Sequence, residues 1–222
     1  MIRAERNIDA MFEREVHDSA TSSAVIIELG GVSRPVLKKA REYQYIGIDI
    51  DPDFESSLFY DRFYCQSVEK AFPEKGDLIF SKYLMEHVKD AEASYDCQLD
   101  ALNEAGTIIH LYPLGFHPFS LLNKFFGNGI AKKLIPIIRK GSEDITGYPA
   151  FYSLGNAYNL ERYFVSRNDL DVKFIYHYGC VDYFAFFYPL ALLVHCFNLI
   201  SKKLSLKIFA SNVLIIIKQK QN

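Results

Sequence analysis

The stretch VIIELGGVSRP, residues 25–35, decides the fold. Val25 to Leu29 are apolar except for Glu28, and two glycines and then a proline follow. A short apolar run closed by turn residues reads as a strand covered on both faces. Glycine right after such a strand gives a sharp turn whose backbone a ligand can approach. The carboxylate before the glycines fits badly beside a pyrophosphate and well near a cation, because like charges repel.

Outward from this point, strands and helices alternate. A helix is predicted over 7–17, with Ile8, Met11 and Phe12 on one side, and a short one over Pro35 to Glu42. YQYIGIDI reads as the second strand, ending in Asp49, and RFYCQS as a short third. GDLIFSKY is the fourth, VKDAEASYDCQLDALNEAG a helix closed by Gly106, and TIIHLYP the fifth strand. DVKFIYHYG and SNVLIIIKQ complete the set at seven. The expected architecture is α/β: a Rossmann-like, doubly wound sheet with an antiparallel last strand and a C-terminal apolar helical insert. The chain reads as one domain, 1–113 forming a cofactor-binding half and 114–222 a substrate-side half.

The 222 residues carry a net charge of −2, which speaks against a general nucleic-acid binder. The charge is uneven. Residues 1–110 hold 21 acids and 12 bases, whereas 111–222 hold 6 acids and 13 bases. A basic second half points to an anionic partner there. The four cysteines show no CxxC pair or metal spacing, and the N-terminus is polar, so a cytoplasmic protein without a bound metal is expected.

In open α/β sheets a ligand sits beyond the carboxyl ends of the strands, at the switch point. Gly30 and Gly31 fall there, and Asp49 ends the second strand about twenty residues later, where a carboxylate can accept ribose hydroxyls. A dinucleotide enzyme would show GxGxxG, and this chain does not.

The blocks VIIELGG, YIGIDIDPD, GDLIFSKYLMEHVKD and LNEAGTIIHLYP resemble, in order and spacing, the motifs of class I S-adenosylmethionine-dependent methyltransferases of the small-molecule and bacterial envelope type. The resemblance implies that Glu28 lies near the methionine end of the cofactor, with Gly30 and Gly31 giving backbone access. It implies that Asp49 holds the ribose and Ile50 packs on the adenine, with Gln66, Ser67 and Val68 at the adenine edge and Ser81 on the methionine side. Two departures stand out: the later glycines of the first motif are missing, and Ser67 stands where the family often has an acid. The implied activity is methyl transfer from S-adenosylmethionine to a small molecule, glycan or lipid-linked acceptor, at oxygen. The alternative is a fold-retaining, non-catalytic module that binds a membrane or a partner.

A hydroxyl acceptor wants a base, and histidine suits neutral pH. His87, after the fourth strand, and His117, in GFHPFS after the fifth, are the candidates, while His110 lies within a strand and reads as core. Lys132, Lys133, Arg139 and Lys140 give a basic surface within 117–140. The apolar insert 183–206 joins the last two strands, so it belongs at the carboxyl edge and is too closely followed by a sheet strand to span a membrane. Its residues His195, Asn198 and Lys202 form a narrow polar stripe. The expectation is peripheral docking on the inner membrane face, or against a second copy in a homodimer.

Overall fold

The computed structural model describes residues 7–31, 34–52, 58–122, 148–179, 184 and 187–220. Seven strands form one sheet in the order β3-β2-β1-β4-β5-β7-β6. They are β1 (Val25–Leu29), β2 (Gln44–Asp49), β3 (Arg62–Cys65), β4 (Gly76–Lys82), β5 (Leu102–Pro113), β6 (Leu170–His177) and β7 (Asn212–Gln219). The first five run parallel, and β7 lies antiparallel between β5 and β6.

Both faces of the sheet are covered, which explains the unbroken apolar runs. Ile26, Leu78, Phe80, Ile109, Leu111, Leu214 and Ile216 face α1 (Ile8–Ala20), which buries Ile8, Phe12 and Val16 against them. The alternate residues Ile27, Ile79, Ile108, Ile215 and Ile217 face α2 (Ala91–Asp100) and α3 (Ala157–Val165). Period-two alternation with both sides apolar makes a slip of register cost burial on two layers at once. Helix α1 starts where Asn7 accepts from the Asp9 N–H, and α2 where Asp90 accepts from the Ala93 N–H.

Two expected helices differ. Residues 34–43 hold no helix. Pro35 lacks a donor, the Val36 N–H is taken by Glu28, and the Leu37 N–H is taken by the Tyr45 hydroxyl at 3.3 Å, so side chains replace helical hydrogen bonds. The helix expected to run to Gly106 ends at Asp100, and β5 begins at Leu102. Ala105 holds a φ of 61° and the pairing with β4 shifts between Gly76 and Leu78, so this stretch is an irregular strand start rather than a helix end.

The long link between β6 and β7 leaves and re-enters at the carboxyl edge, since His177 and Pro113 both pair with Asn212. It carries α4 (Tyr188–Lys203). Among the described residues no helix is long and apolar enough to cross a membrane. The basic residues Lys132, Lys133, Arg139 and Lys140 lie outside the described residues.

At the opposite edge Asp77 joins β4 to β1. Its Oδ2 accepts from Ala24 N and Val25 N, each at 2.8 Å, and its Oδ1 from Asn103 Nδ2 at 2.8 Å. Partial burial would raise its pKa, but these hydrogen bonds outweigh that and hold it below the usual carboxylate range. Asp77→Ala is expected to cost roughly 1–3 kcal/mol in urea denaturation, since two backbone donors lose their partner. The loss should shrink as pH falls below the ordinary aspartate value, where the wild-type carboxyl is neutral too.

Candidate active site

The structure brings the glycine turn and Asp49 together. Leu29 pairs with Ile48 on one side and Ser81 on the other, and Gly30 N donates to Ile48 O at 3.0 Å. The glycine turn and Asp49 therefore lie side by side at the carboxyl ends of β1 and β2, next to the end of β4. Gly30 holds a φ of 74°, a backbone state that favours glycine. A Cβ on Gly31 would fall 2.4 Å from Glu28 Cδ and 2.6 Å from the Tyr60 hydroxyl, so glycine there is a packing requirement. The side chain of Leu84 lies over Gly30, 2.8 Å from where a Cβ would stand.

Glu28 turns inward. It is 2 % exposed. Its Oε1 accepts from Val36 N at 3.0 Å, and its Oε2 accepts from the hydroxyls of Tyr45 and, at 3.1 Å, Tyr60. Burial raises its pKa to about 7, against the lowering effect of those three hydrogen bonds. The carboxyl thus holds Val36 and packs under Gly31, and its oxygens are engaged inside the protein.

Asp49 is half-buried at the end of β2. Burial pushes its pKa up, partly offset by the N–H groups of Asp51 and Ile50. Ile50 beside it is 58 % exposed, an apolar surface at the mouth. Gln66 N donates to Asp49 O at 2.8 Å, which brings the Gln66–Val68 segment alongside. Ser67 Oγ accepts from Glu69 N at 3.2 Å and donates to Glu69 Oε2 at 3.3 Å, while Val68 is buried. Glu69 was not singled out in the sequence; its position two residues beyond the expected acid hid it.

The remaining candidates have internal partners. Ser81 is fully buried, and its hydroxyl bonds His110 Nδ1 at 2.7 Å. His110 Nε2 donates to Gln98 Oε1 at 2.6 Å, and Gln98 donates to Ser94 at 3.1 Å, forming a polar chain under the sheet. Burial drives His110 down to about 3, so it stays neutral, in keeping with its reading as core. His117 is also internal: Nε2 donates to Asn198 Oδ1 at 3.1 Å and Nδ1 accepts from Phe119 N at 3.2 Å. Burial lowers its pKa to about 4. Both ring nitrogens are committed, so the geometry is that of an anchor for α4 rather than of a base facing an acceptor. His87 donates from Nδ1 to Pro149 O at 3.0 Å, and burial lowers its pKa. Its Nε2 therefore keeps a lone pair, which lies 3.8 Å from Glu86 Oε1.

Helix α4 buries two polar residues beside two apolar ones and leaves large apolar side chains outside. It buries Ala191, Val194, Asn198 and Ser201. Asn198, expected on a polar stripe, is the internal tie: it accepts from His117 and donates to Gly179 O at 2.7 Å. Leu193, Leu199 and Ile200 are exposed, at 66 %, 51 % and 57 %.

Known structures share this architecture. A SAM-dependent methyltransferase from Archaeoglobus fulgidus matches with a TM-score of 0.55 at 13 % identity, over 98 % of this chain and 96 % of that one. The plantazolicin methyltransferase BpumL in complex with SAH matches at 0.53 and 10 % identity, over 95 % and 82 %. The N-methyltransferase NodS from Bradyrhizobium japonicum WM9 in complex with S-adenosyl-l-homocysteine matches at 0.50 and 12 %, over 95 % and 88 %. No family model and no curated protein matches the sequence. At these identities the likeness is one of fold: the chain has the class I S-adenosylmethionine-dependent methyltransferase fold.

The raised Glu28 pKa carries a sign. Folding favours the protonated form, so this contribution to stability is full below the ordinary value of 4.5 and is lost as pH rises through about 7. Thermal melts between pH 5 and 8 should show a downward slope for the wild type and a shallower one for Glu28→Gln.

Proposed function

We propose that this chain transfers a methyl group from S-adenosylmethionine to a hydroxyl group of a small molecule, glycan or lipid-linked acceptor at the carboxyl edge of the sheet. The observation that carries the reading is the positive-φ Gly30 turn beside Asp49 in a 3-2-1-4-5-7-6 sheet. The residues present fit a nucleoside. Asp49 offers a half-buried acceptor to ribose hydroxyls, which are donors, and Ile50 offers an exposed apolar surface to the base. Gln66, Ser67 and Val68 border the adenine edge, with Glu69 supplying the acid that Ser67 does not. Gly30 and Gly31 admit the methionine end, Glu28 holds their loop from beneath, and Ser81 fixes the end of β4 through His110. When bound, S-adenosylmethionine supplies an electrophilic methyl group. The protein aligns the nucleophile with it and removes water. Structures of similar fold whose names include bound SAH support this reading.

Peripheral attachment to the inner face of an anionic membrane belongs to the same reading. The outward leucines of α4 continue into an apolar groove of about 700 Å³ lined by Pro118, Leu121, Leu122, Phe184, Leu193 and Phe197. Lys202 and Lys203 close the helix and stand exposed beside Leu204. In flotation with anionic vesicles, the wild type is expected to rise with lipid and Leu193→Glu/Ile200→Glu to stay below. Wild type left wholly in the aqueous fraction would rule the attachment out.

A non-catalytic reading has one observation of its own: Leu84 covers Gly30, which narrows the methionine end. Calorimetry separates the two readings. S-adenosylhomocysteine should bind the wild type, and Asp49→Ala should weaken it by roughly 10- to 100-fold, the weight of hydrogen bonds to a charged group. Absence of binding favours the non-catalytic module.

A further inference from the structure

The segment before α3 reaches across the strand ends. Residues 148–152 are tied first to the turn after β4. There Glu86 O accepts from Phe151 N at 2.8 Å and Tyr152 N at 3.0 Å, and His87 Nδ1 donates to Pro149 O at 3.0 Å. The rings of Tyr148 and His87 meet edge to face, with centroids 6.3 Å apart. The Tyr148 hydroxyl donates to Asp51 Oδ2 at 3.2 Å, just past the end of β2. In the sheet β1 lies between β4 and β2, and its end carries the glycine turn. Two strand spacings are about 10 Å, a gap that one tyrosine with a partner on each side closes. Residues 148–152 therefore form a strap that joins the two elements flanking the glycine turn. Asp51 N in turn donates to Asp49 Oδ1 at 2.9 Å, so the far anchor of the strap stands beside Asp49.

The two ends of the strap differ in strength. The base rests on two main-chain hydrogen bonds and on the buried Tyr152. Tyr152 holds a φ of 51°, a strained state that persists only where its surroundings fix it, and such states gather at ligand clamps. The tip hangs on one phenolic hydroxyl bonded to a partly exposed carboxylate, and Tyr148 itself is 52 % exposed. Water competes for such a bond, so its net worth is small. A brace that only held the loop would need two firm ends. Here the tip can lift while the base stays.

We infer that residues 148–152 are a strap over the nucleoside, with Tyr148 as its latch: the tyrosine leaves Asp51 to let S-adenosylmethionine or its product pass, and returns to hold the ligand against the glycine turn. The inference rests on the methyltransferase reading and adds to it the step that admits and releases the nucleoside. Closure of this kind commits the ligand and keeps water from the reacting atoms. Tyr148 acts here as a positioning residue, and no proton or group is transferred when the latch moves.

Surface plasmon resonance with S-adenosylhomocysteine tests the latch on wild type, Tyr148→Phe, Asp51→Ala and the double variant. Tyr148→Phe keeps the ring beside His87 and removes only the hydroxyl, and neither position is buried, so the core is untouched. Tyr148→Phe should speed association and dissociation together, each by roughly three- to tenfold, with a smaller change in Kd. Asp51→Ala should do the same. The double variant should go no further, because every variant lacks the same bond. Three results overturn the strap: unchanged rates in Tyr148→Phe; faster dissociation with association unchanged, the mark of an ordinary ligand contact; or a double variant accelerated by the product of the two singles. A wild type that binds no S-adenosylhomocysteine overturns the methyltransferase reading instead, and the role of the strap with it.

Discussion

The buried carboxyl of Glu28 sets the shape of everything at the front of the sheet. Three donors converge on it from β2, from Tyr60 and from the loop beyond the glycines. Because it lies inward, the backbone of Gly31 must pass where a Cβ would strike it. Because it takes the Val36 N–H, the following segment has no helix to form. A glycine turn at a switch point is usually read as making room for a ligand. Here Gly31 makes room for the protein's own acid.

The glycine turn and the buried Glu86 share one short segment. Leu84 rests on Gly30, and Glu86 follows two residues later, its backbone oxygen accepting from Phe151 N and Tyr152 N. The turn after β4 therefore touches the glycine turn with one residue and the loop before α3 with another. His87 completes it by fastening to Pro149 across a sequence separation of 62 residues.

The strands were legible because apolar runs and turn residues mark them locally, and even the short β3 and the late β7 lie where the pattern puts them. The helix over 35–42 was not, because its loss depends on Glu28 and Tyr45, which are distant in sequence or face inward for reasons no local pattern records. That Gly30 and Asp49 stand at neighbouring strand ends was legible from topology alone. Side-chain direction was not: Ser81 and His117 carry suitable chemistry at suitable places, yet each is engaged internally. The burial of Glu86 was not legible either, since it depends on the loop before α3 folding over the turn after β4.

The placement of β7 has a consequence for assembly. It is the last of the described strands, yet it fills the slot between β5 and β6, and among the described residues β6 pairs with no other strand. While the chain is being synthesised, β5 therefore presents an open flank and β6 has nothing to zip onto until residues 212–219 emerge. The apolar helix α4 emerges just before them and is unshielded at that moment. The nascent molecule passes through an interval in which a bare strand edge and a greasy helix coexist, the situation that calls for a chaperone.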